Sequence, residues 1–274
     1  MPLSMAKKRA LGLVAFFSIS VFVLWRPFPI YVVQPETRIV KEIIETHQEP
    51  REECLTLLPC PVPTLVSNEA FAEYEKQKQY PCMKFEYFGI GDGSKGVCLD
   101  SVFNLNKDDC HVLSFGINTD WTFDEAFGKF GCKVVSLDPT IRKEDHQHSE
   151  NVRFLNLGIS NKNESRKSGG KLRGWTINLD TYENILKRIG LLDSVIDYLK
   201  IDVERAELQF FEDVFANTPH LLKNVKQIGM ETHYGGKGAR KRFWSYYHLL
   251  ACIGFKIVDA RQYGDRTEIV WVRP

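Results

Sequence analysis

The sequence has no excess of charge of either sign, because its 274 residues contain 36 Lys and Arg against 35 Asp and Glu. General binding to polyanions needs a large cationic excess, so a histone-like protein is excluded and no nucleic-acid partner is expected. Hydrophobic residues make up 43% of the chain and charged residues 26%, as in ordinary globular proteins. The composition therefore predicts a folded domain and excludes a chain that is disordered throughout.

The seven cysteines include no C-x-x-C pair, so the chain lacks the usual spacing of a structural zinc site. Their odd number leaves at least one thiol unpaired within a monomer. We expect Cys252 to be that free thiol, because it lies in a predicted apolar helix, and we interpret Cys132 and Cys252 as small buried apolar residues. In an oxidising compartment the candidates for pairing are Cys54, Cys60, Cys82, Cys98, Cys110 and Cys132.

A long uncharged run extends from Ala10 to Trp25 and directly follows three basic residues. As a helix it would span roughly 24 Å, slightly less than the roughly 30 Å hydrocarbon core of a bilayer. The run has no polar face, and WRPFPIYVV after it offers no small-residue cleavage site. We therefore favour an uncleaved signal anchor over a signal peptide or a core helix. The basic flank would stay cytoplasmic, which predicts a single-pass type II membrane protein of the secretory pathway, in the Golgi, with a lumenal domain.

These features divide the chain into a cytoplasmic tail (1–9), a signal anchor (10–33), a stem (34–81) and a folded domain (82–274). The stem contains the proline-dense CLTLLPCPVPTL and one short helix capped by Ser67 or Asn68. Lumenal placement would also make Asn163 an acceptor for glycosylation, since Asn163-Glu164-Ser165 is a sequon in a predicted exposed loop.

From residue 82 onward, predicted strands alternate with predicted helices. One helix is expected over residues 122–131, with Thr122 as its cap and Gly131 at its end. The alternation predicts an α/β fold with a mainly parallel sheet and helices on both faces. The last two strands, FKIVDARQ and TEIVWVR, are close together and suggest one antiparallel strand in this sheet.

Function in such a sheet is expected at the carboxyl ends of its strands. Gly116 ends the first strand and is followed by Asn118 and Asp120, and Asp138 ends the second strand. The second and third glycines of G-x-G-x-x-G are missing, which disfavours binding of a pyrophosphate. The arrangement predicts a nucleoside pocket instead, with Asp138 accepting hydrogen bonds from both ribose hydroxyls.

The fourth and fifth strands end in Asp202, Glu204, Glu231 and His233, which should lie close together. An acid beside a sulfonium would stabilise the cation, and a carboxylate or imidazole would take the proton of an attacking hydroxyl. Glu204 as a helix cap and His233 as a plain loop residue are simpler alternatives. Oxygen and imidazole ligands suit Mg²⁺ or Mn²⁺, but the spacing here is not distinctive and no metal is predicted.

The segments SFGINTDWTFDEAF, Asp138-Pro139 and YLKIDVERAE resemble the methyltransferase-like protein 24 group, which is related to the FkbM-type S-adenosylmethionine-dependent methyltransferases. This resemblance implies a class I, Rossmann-like fold with a seven-stranded sheet and S-adenosyl-L-methionine as cofactor. It implies that Gly116 and Asp138 contact the cofactor and that Asp202 lies near its methionine end. Relatives usually have glycine where this chain has Arg205. The FkbM-type enzymes methylate hydroxyls, often on sugars, which implies an O-methyltransferase.

Two other classes of function stay open. Asp202-Val203-Glu204 is a passable D-x-D element, so a lumenal glycosyltransferase with a sugar-nucleotide donor is an alternative, and an inactive binding module is another. Cations after the fifth strand would attract an anionic acceptor such as an acidic glycan. They are Lys237, Arg240, Lys241 and Arg242. The other basic loop, residues 162–173, is interpreted as solvated surface, and RNA is a weaker possibility than a glycan.

Overall fold

The computed structural model describes residues 60–168 and 173–274. The predicted tail and signal anchor, most of the stem and Cys54 lie outside these residues. Within the described ranges, no helix has the length and apolar character that crossing a bilayer would require.

Five α-helices lie in the described ranges: α1 (Asn68–Glu75), α2 (Thr122–Phe130), α3 (Tyr182–Ile189), α4 (Glu207–Asn217) and α5 (Ala239–Cys252). Ser67 caps α1 as predicted, since its hydroxyl accepts a hydrogen bond from the Ala70 amide at 3.1 Å. Gly131 ends α2 with φ at 112°, also as predicted. The predicted capping by Thr122 was wrong. Thr122 is the first helical residue, and its amide donates to the Asp120 carboxylate at 3.0 Å.

The described residues form thirteen strands: β1 (Phe85–Phe88), β2 (Lys95–Cys98), β3 (His111–Phe115), β4 (Lys133–Leu137), β5 (His146–Ser149), β6 (Val152–Leu155), β7 (Gly158–Ile159), β8 (Glu164–Lys167), β9 (Thr176–Asp180), β10 (Tyr198–Ile201), β11 (Gln227–His233), β12 (Lys256–Tyr263) and β13 (Arg266–Val272). Eight of them make one sheet in the order β12-β13-β11-β10-β3-β4-β6-β5. Its centre, from β11 to β6, is parallel.

The fold is therefore α/β with a mainly parallel sheet, as predicted. The sheet has eight strands, however, and not the seven predicted. β13 runs antiparallel to β11 as the closing hairpin suggests, and β5 adds a second antiparallel strand beside β6. The sequence of β5 is His146-Gln147-His148-Ser149, which is polar and only half-buried. It therefore lacks the apolar signal by which strands are recognised.

Apolar side chains of the sheet pack on both faces, as parallel strands require. In β3, Leu113 and Phe115 belong to one core with α3, α4 and α5, while Val112 belongs to another with α2 and the β1–β2 hairpin. Alternate residues of a strand face opposite sides, so this one strand supplies both cores. Helices thus cover both faces, and the carboxyl edge of the sheet is left for a site.

Two small sheets flank the main one. β1 and β2 form an antiparallel hairpin, and β7, β9 and β8 form a three-stranded sheet. Neither was predicted, because the strands are short. Asn163 lies directly before β8 and is exposed, and its amide donates to the Asp180 carboxylate at 2.8 Å. Its glycosylation stays a prediction.

The packed part of the chain includes residues that the predicted boundaries assigned to the stem. Val62 and Phe71 are both 1% exposed and belong to the main core. The Trp244 indole donates to the Pro63 carbonyl at 2.5 Å. Residues from Cys60 to Tyr80 therefore contribute to the core that supports the sheet.

Six cysteines of the described residues form three disulfides: Cys60–Cys252, Cys82–Cys98 and Cys110–Cys132. The expectations that Cys252 is a free thiol and that Cys132 is only a buried apolar residue were both wrong. A helical cysteine among apolar residues looks like a core residue in sequence. The fold, however, brings Cys60 within 6.0 Å of it, measured between Cα atoms.

The Cys60–Cys252 bond should make the largest disulfide contribution to stability, because its partners are 192 residues apart. Long closed loops lose the most chain entropy in the unfolded state. We expect Cys252→Ser to lower the free energy of unfolding by about 2–5 kcal/mol, measured by urea denaturation. Cys60→Ser and the double variant should lose the same amount. If the stability losses of the two single variants added up in the double variant, or if Cys252→Ser were as stable as wild type, the two thiols would be acting separately.

Candidate active site at the carboxyl edge of the sheet

A cavity of about 560 Å³ lies at the carboxyl edge, where β3, β4, β10 and β11 end. Its size is typical of sites for small ligands. All the residues predicted to bind the cofactor line it: Gly116, Asn118, Asp120, Asp138 and Asp202. Of the predicted catalytic residues, Asp202, Glu204 and Glu231 line it as well, whereas His233 does not line it but contacts Glu231. We refer to it as the larger cavity.

Gly116 holds the end of β3 against the end of β10. Its φ is +76°, a conformation that favours glycine, and a Cβ atom there would lie 1.6 Å from the carbonyl oxygen of Asp202. The amide of Asp202 donates to the Phe115 carbonyl at 3.0 Å and fixes the same approach from the other strand. No larger residue fits at position 116 unless the two strands separate.

Asp138 organises the loop that follows Gly116. One carboxylate oxygen accepts hydrogen bonds from the amides of Ile117 and Asn118 at 3.1 and 2.8 Å. The other accepts from the amide and hydroxyl of Thr140 at 2.8 and 2.6 Å. A carboxylate has about four acceptor positions, so this network occupies them all. The binding of ribose hydroxyls by Asp138 stays a prediction, and it requires at least one of these bonds to exchange.

Asp120 and Asn118 occupy the rim of the larger cavity. Asn118 has a left-handed backbone with φ of 52°, which asparagine tolerates better than most residues. Burial opposes the charge of Asp120, but hydrogen bonds from Thr122 and the amide of Gly93 outweigh it and lower the pKa of this carboxyl. Asp120 therefore presents a fixed negative charge to the cavity.

Two buried lysines hold Asp202 in position, and neither was predicted from the sequence. The Lys95 ammonium lies 3.1 Å from the Asp202 carboxylate and 2.7 Å from that of Glu268. Lys200 donates to the Gly116 carbonyl at 2.5 Å and lies 3.9 Å from Asp202. Burial lowers the pKa of Lys200, whereas for Lys95 the attraction of both carboxylates outweighs burial and raises it. Lys200 could have been identified from the sequence, because a lysine within an apolar strand such as β10 is rarely buried without a partner.

Glu231 and Glu268 are register partners on β11 and β13, and both are buried. Arg266 donates to Glu231 at 2.7 Å. Burial raises the pKa of Glu268. Burial acts the same way on Glu231, but hydrogen bonds from His233 and Glu268 together with nearby cations lower its pKa overall. Glu231 is therefore the charged member of the pair at neutral pH, and Glu268 holds a proton most readily.

His233 is held between carboxylates. Its Nδ1 atom lies 2.9 Å from Glu207, and its Nε2 atom lies 3.3 Å from Glu231 and 3.5 Å from Glu204. Hydrogen bonds to Glu207 and Glu231 raise the pKa of His233 to about 10, although burial opposes the charge. The imidazole is thus protonated at neutral pH and positions Glu231, so the carboxylates are the better proton acceptors in this site.

Arg205 adopts a backbone conformation that favours glycine. Its φ is +82°, and that of Glu204 before it is +50°. Glycine would adopt this turn freely, whereas the arginine here carries a conformational cost of about 1–2 kcal/mol. The exposed Arg205 side chain lines the larger cavity.

The basic side chains on the larger cavity are not those predicted. Arg166, Lys200, Arg205 and Arg266 line it. The lining includes none of Lys237, Arg240, Lys241 and Arg242. Arg242 pairs with Glu212, and Arg240 lies 5.2 Å from the Tyr234 ring centre. Arg166 comes from the loop that was interpreted as solvated surface.

One group of carboxylates near the larger cavity has metal-ligand spacing, namely Asp202, Glu231 and Glu268. Lys95 contacts Asp202 and Glu268, and Arg266 contacts Glu231. Protein cations therefore supply the positive charge that a metal would bring. Glu204, the second acid of the D-x-D-like element, is not part of this group.

Comparison with known proteins identifies the family. Residues 61–249 match a family of methyltransferase domains, and the match covers more than half of the chain. The protein therefore belongs to this methyltransferase family. No curated protein gives a significant match. A solved structure described as "Putative hemolysin from Streptococcus thermophilus" is 12% identical, covers 67% of this chain and 72% of its own, and has a TM-score of 0.37. That similarity is too low to support any argument.

Gly116→Ala should disrupt the larger cavity, because the added methyl group meets the Asp202 backbone. Gly190→Ala is a matched control, since Gly190 has nearly the same φ, +77°, with nothing within 4 Å of its Cβ position. We expect the control to lose about 1–2 kcal/mol of stability and Gly116→Ala to lose at least twice as much, measured by thermal unfolding. Equal losses would mean that the two strands separate easily.

His233 should make stability depend on pH. Its pKa is raised to about 10, above an unfolded value near 6.5, so its contribution is complete below about pH 6.5 and is lost as pH rises towards 10. We expect the unfolding free energy of the wild type to fall more steeply between pH 7 and 10 than that of His233→Gln. The control is His220→Gln, which changes an exposed histidine and should keep the wild-type slope. Parallel curves for wild type and His233→Gln would contradict the assignment.

Proposed function

We propose that this protein is an S-adenosyl-L-methionine-dependent O-methyltransferase and that the larger cavity binds the methyl donor. The observation that carries the proposal is the charge of the cavity lining. Six carboxylates and four basic side chains line it, around the ends of four strands. A cationic sulfonium suits this surface, whereas a diphosphate does not. The resemblance of SFGINTDWTFDEAF and YLKIDVERAE to the methyltransferase-like protein 24 group points to the same donor.

The other residues of the larger cavity fit the nucleoside part of the donor. Apolar side chains supply a surface for a purine, and they include Ile117, Leu137, Pro139, Ile177 and Leu179. The loop after Gly116 lacks the further glycines with which a pyrophosphate is bound closely. A methyl donor without phosphate needs no such loop.

When bound, the donor supplies an electrophilic methyl group: the acceptor oxygen bonds to the methyl carbon, and the electron pair of the broken carbon–sulfur bond passes to sulfur. The protein must bind the donor, orient the acceptor and remove the hydroxyl proton. Glu231 lines the larger cavity, carries no proton at neutral pH and is held by Arg266 and His233. The acceptor hydroxyl becomes strongly acidic as its oxygen bonds to carbon, so even a carboxylate of lowered pKa can take the proton, and we assign this role to Glu231. Asp202 provides negative charge beside the donor, with Lys95 and Lys200 fixing its position.

A lumenal position in the secretory pathway, in the Golgi, is part of the proposal. Three disulfides among the described residues support an oxidising compartment, because such bonds are rare in the cytosol. The apolar run before Trp25 would serve as a type II signal anchor, and Asn163 would carry a glycan. In that compartment the acceptor would be a hydroxyl of a glycan. Arg166 and Arg205 on the larger cavity support an acceptor with a negative charge.

The glycosyltransferase alternative has less support. A sugar-nucleotide donor needs positive charge or a metal at its diphosphate, but acids outnumber bases on the larger cavity. The side chain of Glu204 is 82% exposed and turns to His233, so Asp202-Val203-Glu204 does not form a pair of metal ligands.

Calorimetric titration of the full chain in detergent tests the proposal. We expect saturable binding of S-adenosyl-L-methionine and none of a uridine diphosphate sugar with Mn²⁺. Asp202→Asn should weaken donor binding at least tenfold and abolish transfer of labelled methyl groups to secreted glycans. Asp193→Asn, which changes an acid outside the lining of the cavity, is the control. Binding of the sugar nucleotide alone would overturn the proposal, and donor binding without transfer to any glycan would indicate an inactive module.

A further inference from the structure

A second cavity adjoins the larger one. It has a volume of about 170 Å³ and is lined by Gly91, Asp92, Ser94, Glu231, Arg261, Tyr263, Arg266 and Glu268. We call it the smaller cavity. Three residues line both cavities, namely Asp92, Glu231 and Arg266. The two spaces therefore meet at the carboxylate to which we assign the acceptor proton.

The wall between the cavities is a set of connected charges. Arg266 donates to Glu231 at 2.7 Å and also lies 3.5 Å from Asp92. Glu231 is 3% exposed, whereas Arg266 is only half-buried. A group bound in the smaller cavity would thus meet the same Glu231 that lines the larger cavity.

The outer part of the smaller cavity is formed by the turn between β12 and β13 and by the turn at Gly91–Gly93. Tyr263 ends β12 and is 48% exposed, which is unusual for so large a ring in the described residues. Arg261 lies two residues before it, with its guanidinium 4.5 Å from the Tyr87 ring centre. An exposed ring beside carboxylates and guanidinium groups suits a ligand with one apolar face and many hydroxyls.

Resting on the proposed function, we infer that the smaller cavity is the acceptor subsite and binds a saccharide unit, with Tyr263 packing against its ring. A hydroxyl of that unit would face Glu231, which takes its proton as the oxygen–methyl bond forms and the sulfur–methyl bond breaks. Glu268, the register partner of Glu231, lines the same cavity. Tyr263 and Arg261 are thereby specificity-determining residues that sequence patterns did not reveal.

A glycan array that carries neutral and acidic oligosaccharides tests this inference with the full chain and S-adenosylhomocysteine. We expect binding to a subset of glycans and a loss of about tenfold in Tyr263→Ala, with Tyr263→Phe close to wild type because the ring is kept. Val195→Ala is a matched control, since Val195 is 47% exposed and lies at the opposite edge of the sheet, before β10. All variants should bind S-adenosyl-L-methionine equally and unfold at the same temperature.

The inference would be overturned, with binding of the methyl donor left intact, by a protein that binds the donor but no glycan, or by equal glycan binding of wild type and Tyr263→Ala. Loss of glycan binding in Tyr263→Phe to the level of Tyr263→Ala would also overturn it, because the hydroxyl and not the ring would then be responsible. Failure to bind the methyl donor at all would instead contradict the proposed function.

Discussion

The close approach of β3 and β10 at Gly116 is the constraint on which the rest of the site depends. The space that a side chain would need at this position is taken by the Asp202 carbonyl. Because the two strand ends meet there, the loop held by Asp138 and the acids after β10 face one cavity. The parallel sheet brings the strand ends to one edge, and the contact at Gly116 determines how close the ends of β3 and β10 lie there.

The site also requires positive charge between the three carboxylates that lie near one another. Asp202, Glu231 and Glu268 lie close enough to share an ion, and in a buried setting their mutual repulsion would be costly. Lys95 comes from the β1–β2 hairpin, Lys200 from β10 and Arg266 from β13, so three separate elements supply the balancing charge. The hairpin therefore does more than cover the sheet, since it places a buried cation under the site.

The carboxyl-edge residues could be predicted because strand ends are visible in sequence. Gly116, Asp138 and Asp202 each follow an apolar run, and parallel strands bring such ends together. Lys95 and Glu268 could not be found in this way, since one lies in a short strand without an apolar pattern and the other depends on register with Glu231. The disulfide partner of Cys252 could not be predicted either, because Cys60 is 192 residues away in sequence and comes close only in the folded chain. Long-range pairing is decided by packing, which local patterns do not contain.

We propose that the cavity between Gly116, Asp138 and Asp202 binds the methyl donor. The decisive experiment is a crystal structure of the protein with S-adenosylhomocysteine. We predict that the nucleoside lies in the larger cavity, against the loop after Gly116, with the amino-acid end towards Asp202. Saturating ligand bound elsewhere, or a larger cavity that stays empty at saturation, would show that the donor site lies outside this cavity.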